Sequence, residues 1–169
     1  MVSTSNSQDL NETDFVKQMK TQYAEDLATY GFKLEAPGYV KSSTAKFYYV
    51  RHGMSLHNYE AARILKDYGA NSQEEINQMK NENCVDPDLH DLGRAQAEYN
   101  SPRVTCLNAK YVLVSPMQRA VQTAIHMFKF HPNVANIKFI IVPELHEIMH
   151  TFNDMHMDPA ELVQKYAEG

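Results

Sequence analysis

The sequence predicts an α/β domain, three layers deep, in which helices cover both faces of a mainly parallel sheet. Three apolar runs carry that reading: residues 47–50 (Phe-Tyr-Tyr-Val), 111–114 (Tyr-Val-Leu-Val) and 137–142 (Ile-Lys-Phe-Ile-Ile-Val). They are short, nearly continuous and rich in aromatic and β-branched side chains, as expected of strands buried on both faces. Helical periodicity separates them, giving strand, helix, strand, helix, strand.

Composition sets the outer limits. The chain has 169 residues, enough for one domain with a real core. A hydrophobic content of 43% argues against disorder. Net charge is −5 with no long charged block, so nucleic acid is not an expected partner, and an anion site must be a local basic pocket on an acidic surface. Cys84 and Cys106 are too few for a disulfide framework. The first residues lack the blocks of a signal peptide, and no apolar run is long enough to cross a bilayer. These features predict a soluble cytoplasmic protein with no membrane partner; oligomeric state stays open. Residues 1–45 read as an N-terminal helix and connector, and residues 46–169 as the domain proper.

Residues 11–30 place Phe15, Met19, Tyr23, Leu27 and Tyr30 three or four apart, one face of an amphipathic helix. Asn11 or Thr13 can cap it and Gly31 can end it. Residues 32–43, with Pro37-Gly38, connect it to the first strand. That strand stops at Arg51-His52-Gly53, where glycine permits a tight turn, and a helical run from Tyr59 follows. A cation and an imidazole therefore sit beyond the carboxyl end of a strand, where open α/β sheets bind ligands. The arginine fork matches phosphate oxygens, a helix N-terminus points N–H groups at an anion, and Asn58 can add a hydrogen bond. A neutral His52 can attack phosphorus. Alone, an Arg-His-Gly tripeptide is too short to exclude a surface arginine and a packed histidine.

Residues 59–80 read as a polar, exposed helical insertion broken near Gly69-Ala70-Asn71-Ser72. Residues 86–97 read as a turn feeding a helix capped by Asp91, with Leu89, Leu92 and Ala95 toward the core; Pro102 predicts that this helix ends early. After the second strand, Ser115-Pro116 predicts a helix start, with Ser115 as cap and an apolar stripe through Met117, Ala120, Val121, Ala124, Ile125 and Phe128 to about residue 130. Arg119 lies off that stripe near the strand end, within reach of an anion held by Arg51. After the third strand, Glu144 and Glu147 are both placed to protonate a leaving oxygen, provided that one is protonated. Asp158-Pro159 starts a last helix to about residue 167.

Four ordered motifs resemble the histidine phosphatase superfamily, the phosphoglycerate-mutase-like family. They are Val50-Arg51-His52-Gly53 with Asn58; Leu89 through Gly93 to Gln96-Ala97, with His90 in place of the family's threonine; Ser115-Pro116-Met117-Gln118-Arg119-Ala120-Val121-Gln122-Thr123-Ala124; and Leu145-His146-Glu147. The resemblance runs from about residue 47 to 147. It implies a phosphoglycerate-mutase-like fold, His52 as the nucleophile that becomes phosphohistidine, and Glu147, rather than Glu144, as general acid and then base. Arg51, Asn58, Arg119 and Gly53 are implied as the phosphate-binding set, with no metal and no cofactor. The implied substrate is a phosphorylated small molecule or phosphoprotein, hydrolysed by a metal-independent phosphatase.

One departure stands out. The family carries a second histidine after a later strand, and none of His126, His131, His146, His150 or His156 follows a strand in this sequence. The resemblance therefore implies a domain lacking its C-terminal part. It leaves a second function open, a phosphate-binding pseudo-phosphatase or scaffold without turnover. Mutase activity is disfavoured by Met54, where sugar-phosphate mutases usually carry glutamate.

Overall fold

The structure is a computed structural model, and it describes residues 13–31 and 47–167. Asn11 and the 32–43 connector lie outside the described residues. The elements run α1 (Asp14–Gln22), α2 (Ala24–Tyr30), α3 (Leu56–Tyr68), α4 (Gln73–Met79), α5 (Asp91–Thr105), β1 (Tyr111–Val114), α6 (Gln118–Phe128), β2 (Lys138–Ile141) and α7 (Pro159–Ala167), with short 3-10 turns at Val134–Asn136, Pro143–Leu145 and Phe152–Asp154. None of the described helices is long and apolar enough to cross a membrane.

The α/β class and the parallel pairing stand. β1 and β2 run parallel in register from Tyr111 opposite Lys138 to Val114 opposite Ile141, and α6 makes the crossover. Burial within β1 alternates: Val112 and Val114 point into the core, while Tyr111 and Leu113 face outward. The expected two-sided burial of this strand is therefore not met.

The first expected strand is a correction. Residues 47–50 are irregular backbone, with Phe47 70% and Tyr49 86% exposed. A strand exists only through its ladder, and no described strand pairs with this segment. Aromatic and β-branched content gave the local propensity; the non-local partner is what propensity does not supply.

The helices are held by three apolar clusters. Val16 and Met19 of α1 pack on Leu92 and Ala95 of α5, with Phe15, Tyr23 and Leu27 against them, so the predicted N-terminal face is a packing face. It is split into two helices at Tyr23, and Thr13 caps the first by accepting from Val16 N–H at 3.2 Å. Ala97 and Val104 of α5 pack on Met127, Phe128 and Ile137. Val114, Val121 and Leu162 join β1, α6 and α7.

Two helix ends differ from expectation. His90, not Asp91, caps α5: its Nδ1 accepts from Leu92 N–H at 3.1 Å, and its ring stacks on Tyr59 with centroids 4.0 Å apart. The residue that replaces the family's threonine thus performs a threonine's capping task. α5 also continues through Pro102 to Thr105, because Ala97, Ser101 and Val104 are all buried and that burial outweighs the lost N–H bond. At α6, Ser115 does not cap the helix. Its hydroxyl accepts from Met117 N–H at 3.4 Å, while Gln118 N–H is met by the buried Asp86 carboxylate at 2.8 Å. Asp86 Oδ2 also accepts from Met157 N–H at 3.3 Å, so one side chain ties the start of α6 to the segment before α7.

Candidate active site

The Arg51-His52-Gly53 segment is fixed by its neighbours in a way that explains several motif positions. A Cβ placed on Gly93 would lie 2.0 Å from the Met54 carbonyl oxygen, and one on Gly53 would lie 2.5 Å from the Gly93 carbonyl oxygen. Neither glycine has positive φ. Gly53 is therefore required for close approach of two backbones, not for the tight turn its position suggested.

Hydrogen bonds complete the docking. Met54 N–H donates to Gln96 Oε1 at 2.7 Å, and His90 N–H donates to the Met54 carbonyl at 2.9 Å. Gly53 N–H donates to Thr123 Oγ1 at 3.0 Å, while that hydroxyl donates to the Arg119 carbonyl at 2.7 Å. Gln122 accepts from Leu89 N–H at 2.7 Å through Oε1 and donates to Asp88 Oδ1 at 2.7 Å through Nε2. Gln96 and Thr123, visible in the sequence only as motif letters, bond the loop directly, and Gln122 fixes the Asp88-Leu89 segment. The Gly53 N–H is engaged by Thr123.

His52 is held with Nδ1 2.6 Å from the Gly53 carbonyl. A carbonyl only accepts, so Nδ1 carries the proton and Nε2 presents its lone pair. Burial is the main cause that lowers the His52 pKa from its ordinary 6.5; the Gly53 hydrogen bond opposes this, Arg119 and Arg51 lower it further, and Glu147 pulls the other way. The expected groups thus act on one imidazole: both arginines and the acid lie close enough to bias its proton.

Arg119 is buried on α6. Its Nη1 donates to the Asn153 carbonyl at 2.9 Å, and its Nη2 stands 3.7 Å from Glu147 Oε2 and 3.9 Å from Asp154 Oδ1. Both carboxylate distances exceed hydrogen-bond length. Glu147 is half exposed, whereas Asp154 is largely covered. Burial pushes the Asp154 carboxyl up, but the N–H groups of His150 and Thr151, the Thr151 hydroxyl and the Arg119 charge together hold it below the usual range.

The other expected residues fall as follows. Arg51 is exposed beside His52. Asn58 lies in the first turn of α3, where its N–H donates to Ser55 Oγ at 3.1 Å and its Oδ1 accepts from the Ser55 hydroxyl at 2.8 Å. Glu144 is exposed in a 3-10 turn. Of the spare histidines, His126 pairs with buried Glu98 at 3.0 Å, and His131 Nε2 meets the Leu107 carbonyl at 3.0 Å, so both serve the core. Asn153, Asp154 and His57 join the neighbourhood of Arg119 without any sequence signal beyond their polarity.

The model of the histidine phosphatase superfamily, branch 1, matches residues 47–168, well over half the chain. The chain belongs to the histidine phosphatase superfamily. No curated protein and no solved structure matches it. A histidine phosphatase superfamily domain supports phosphoryl transfer of the phosphatase or mutase type.

An ordinary histidine is half protonated at pH 6.5; in this superfamily domain the His52 midpoint is expected below that, read by NMR titration of the free protein. The folded state then binds fewer protons than the unfolded chain, so His52 takes stability away as pH falls through 6.5. Arg119→Ala should raise the midpoint, only partly, since burial is the larger cause. A midpoint at or above 6.5 in the wild type would show that burial and the two arginines do not favour the neutral ring.

Proposed function

We propose that this protein is a metal-independent phosphatase that hydrolyses a phosphate ester through a phosphohistidine on His52. The observation that carries the proposal is the His52 ring: Nδ1 tied to the Gly53 carbonyl, Nε2 free to attack, and the charges of Arg119 and Arg51 both acting on it.

In the first step His52 Nε2 forms a bond to phosphorus as the bond to the ester oxygen breaks, and protonated Glu147 delivers a proton to the departing oxygen. In the second step the Glu147 carboxylate takes a proton from water, whose oxygen bonds to phosphorus as the N–P bond breaks. Inorganic phosphate leaves and neutral His52 is restored. Arg51 and Arg119 stabilise the equatorial oxygens, which carry the charge in phosphoryl transfer. Arg119 Nη2 is ready for this: its two carboxylate neighbours sit at ion-pair rather than hydrogen-bond distance, so an incoming oxygen can take the closer place. Asn58 adds a donor at the start of α3. The substrate is a phosphorylated small molecule or phosphoprotein, and the two free cysteines fit a reducing cytoplasmic setting.

A second reading is favoured by the same arginine. The Asn153 carbonyl holds its fork while Glu147 and Asp154 stand at ion-pair distance, so part of the charge that would stabilise the transferring group is already neutralised. On that reading the pocket binds phosphate without turnover.

Brief reaction with a ³²P-labelled phosphomonoester, followed by alkaline quench and peptide mapping, separates the two. Acid-labile label on His52 is expected; turnover with no label on this residue, or none of either with phosphate binding retained, overturns the phosphatase reading.

A further inference from the structure

Asn153 stands between Arg119 and a histidine on the first turn of α3. Its backbone carbonyl accepts from Arg119 Nη1 at 2.9 Å. Its side-chain Nδ2 lies 3.0 Å from Thr151 Oγ1 and 3.4 Å from His57 Nε2, the latter a long hydrogen bond. Asn153 is 2% exposed, so these contacts do not compete with bulk water.

The protons can be assigned by elimination. The Asp154 carboxylate only accepts, so the Thr151 hydroxyl donates to its Oδ2, 3.2 Å away. That hydroxyl then accepts from Asn153, which sets the nitrogen end of the amide toward it. The second Nδ2 hydrogen falls to His57 Nε2, which has to accept. The His57 proton is left on Nδ1, a buried atom with no hydrogen-bond partner. The arrangement leaves two buried atoms without a partner, His57 Nδ1 and Asn153 Oδ1, a cost that the bonds of the Asn153 amide to Thr151 and His57 must outweigh.

We propose that His57 is a positioning residue for the anion pocket: its Nε2 lone pair holds the Asn153 amide, and Asn153 holds the Arg119 fork. The inference rests on the phosphate role of Arg119 proposed above. It links the helix that follows the Arg51-His52-Gly53 loop to the turn that follows Glu147. The role requires a neutral ring, because a protonated Nε2 would face the Nδ2 donor. Burial and the Arg119 charge favour the neutral form, and Asp154 opposes them.

Two measurements at pH 7.5 test it. ¹⁵N NMR of the wild-type imidazoles should show His57 as the Nδ1–H tautomer; an Nε2–H ring overturns the inference without any variant having to fold. Calorimetric titration then uses sulfate, a tetrahedral dianion. His57→Phe, which keeps a ring but no acceptor, should weaken sulfate binding about tenfold, as expected when a binding group loses its support. His57→Gln, which keeps an acceptor, should stay within about threefold of wild type. Equal losses in the two variants, or no loss in His57→Phe while Arg119→Ala abolishes binding, overturn the positioning role alone. Wild type binding sulfate no better than Arg119→Ala overturns the phosphate reading and this inference together.

Discussion

His52→Ala is expected to lower phosphate-ester turnover by about 10⁴-fold or more, the scale of loss when a covalent nucleophile is removed. The reason is specific to the first step. Without the imidazole, water must attack the ester directly, and the half-exposed Glu147 has no second partner with which to divide the reaction. The anion pocket should survive the change. Arg119 takes its position from the Asn153 carbonyl, and the Gly53 backbone from Thr123, and neither contact uses the His52 side chain. Phosphate should therefore bind His52→Ala within a few fold of wild type, while the acid-labile label disappears. That split between retained binding and lost chemistry is the diagnostic result. A variant that keeps turnover within tenfold shows that His52 is not the nucleophile; a variant that loses binding as well shows that the ring is part of the pocket's structure.

The candidate site could be proposed from the sequence because its residue types sit just after apolar runs. Arg51, His52 and Arg119 were selected in that way, whereas position left Glu144 and Glu147 both open and only the family resemblance chose Glu147; the charges of Arg119, Arg51 and Glu147 bear on the His52 imidazole. β1, the start of α7 and the break between α3 and α4 were legible for similar local reasons, since each rests on a short run or a cap. What was not legible depends on partners distant in the chain. Residues 47–50 have strand propensity but no described partner. Asp86 caps α6 from 32 residues away, a bond that no capping pattern reveals. His57 and Asn153 are 96 residues apart, and nothing in a polar helix face or a polar loop marks either. Pro102 misled in the opposite direction, because a local rule was outweighed by burial along α5.

Gly93→Ala sets two effects of opposite sign against each other. Within a helix, alanine is favoured over glycine by about 1 kcal/mol, so propensity alone predicts a more stable protein. Position 93 is buried in the first turn of α5, however, and the added methyl would lie 2.0 Å from the Met54 carbonyl oxygen, 2.7 Å from the Met54 nitrogen and 2.8 Å from its carbonyl carbon. All three are backbone atoms, so no rotamer change relieves the clash; the loop or the helix must move. The cost of such overpacking is about 3 kcal/mol or more, which outweighs the propensity gain. A fall in Tm of roughly 4–8 °C is expected after the two are combined. The loop is the part held by fewer contacts, and moving it would strain the bonds from Met54 to Gln96 and His90 and carry His52, two residues away, out of line with Arg119. Turnover measured well below the melting transition should therefore drop by about 10²-fold, the order expected for a misplacement of about 1 Å. A Gly93→Ala protein that melts with or above the wild type and turns over normally would mean that the loop does not rest on α5, and the motif glycine would need another explanation.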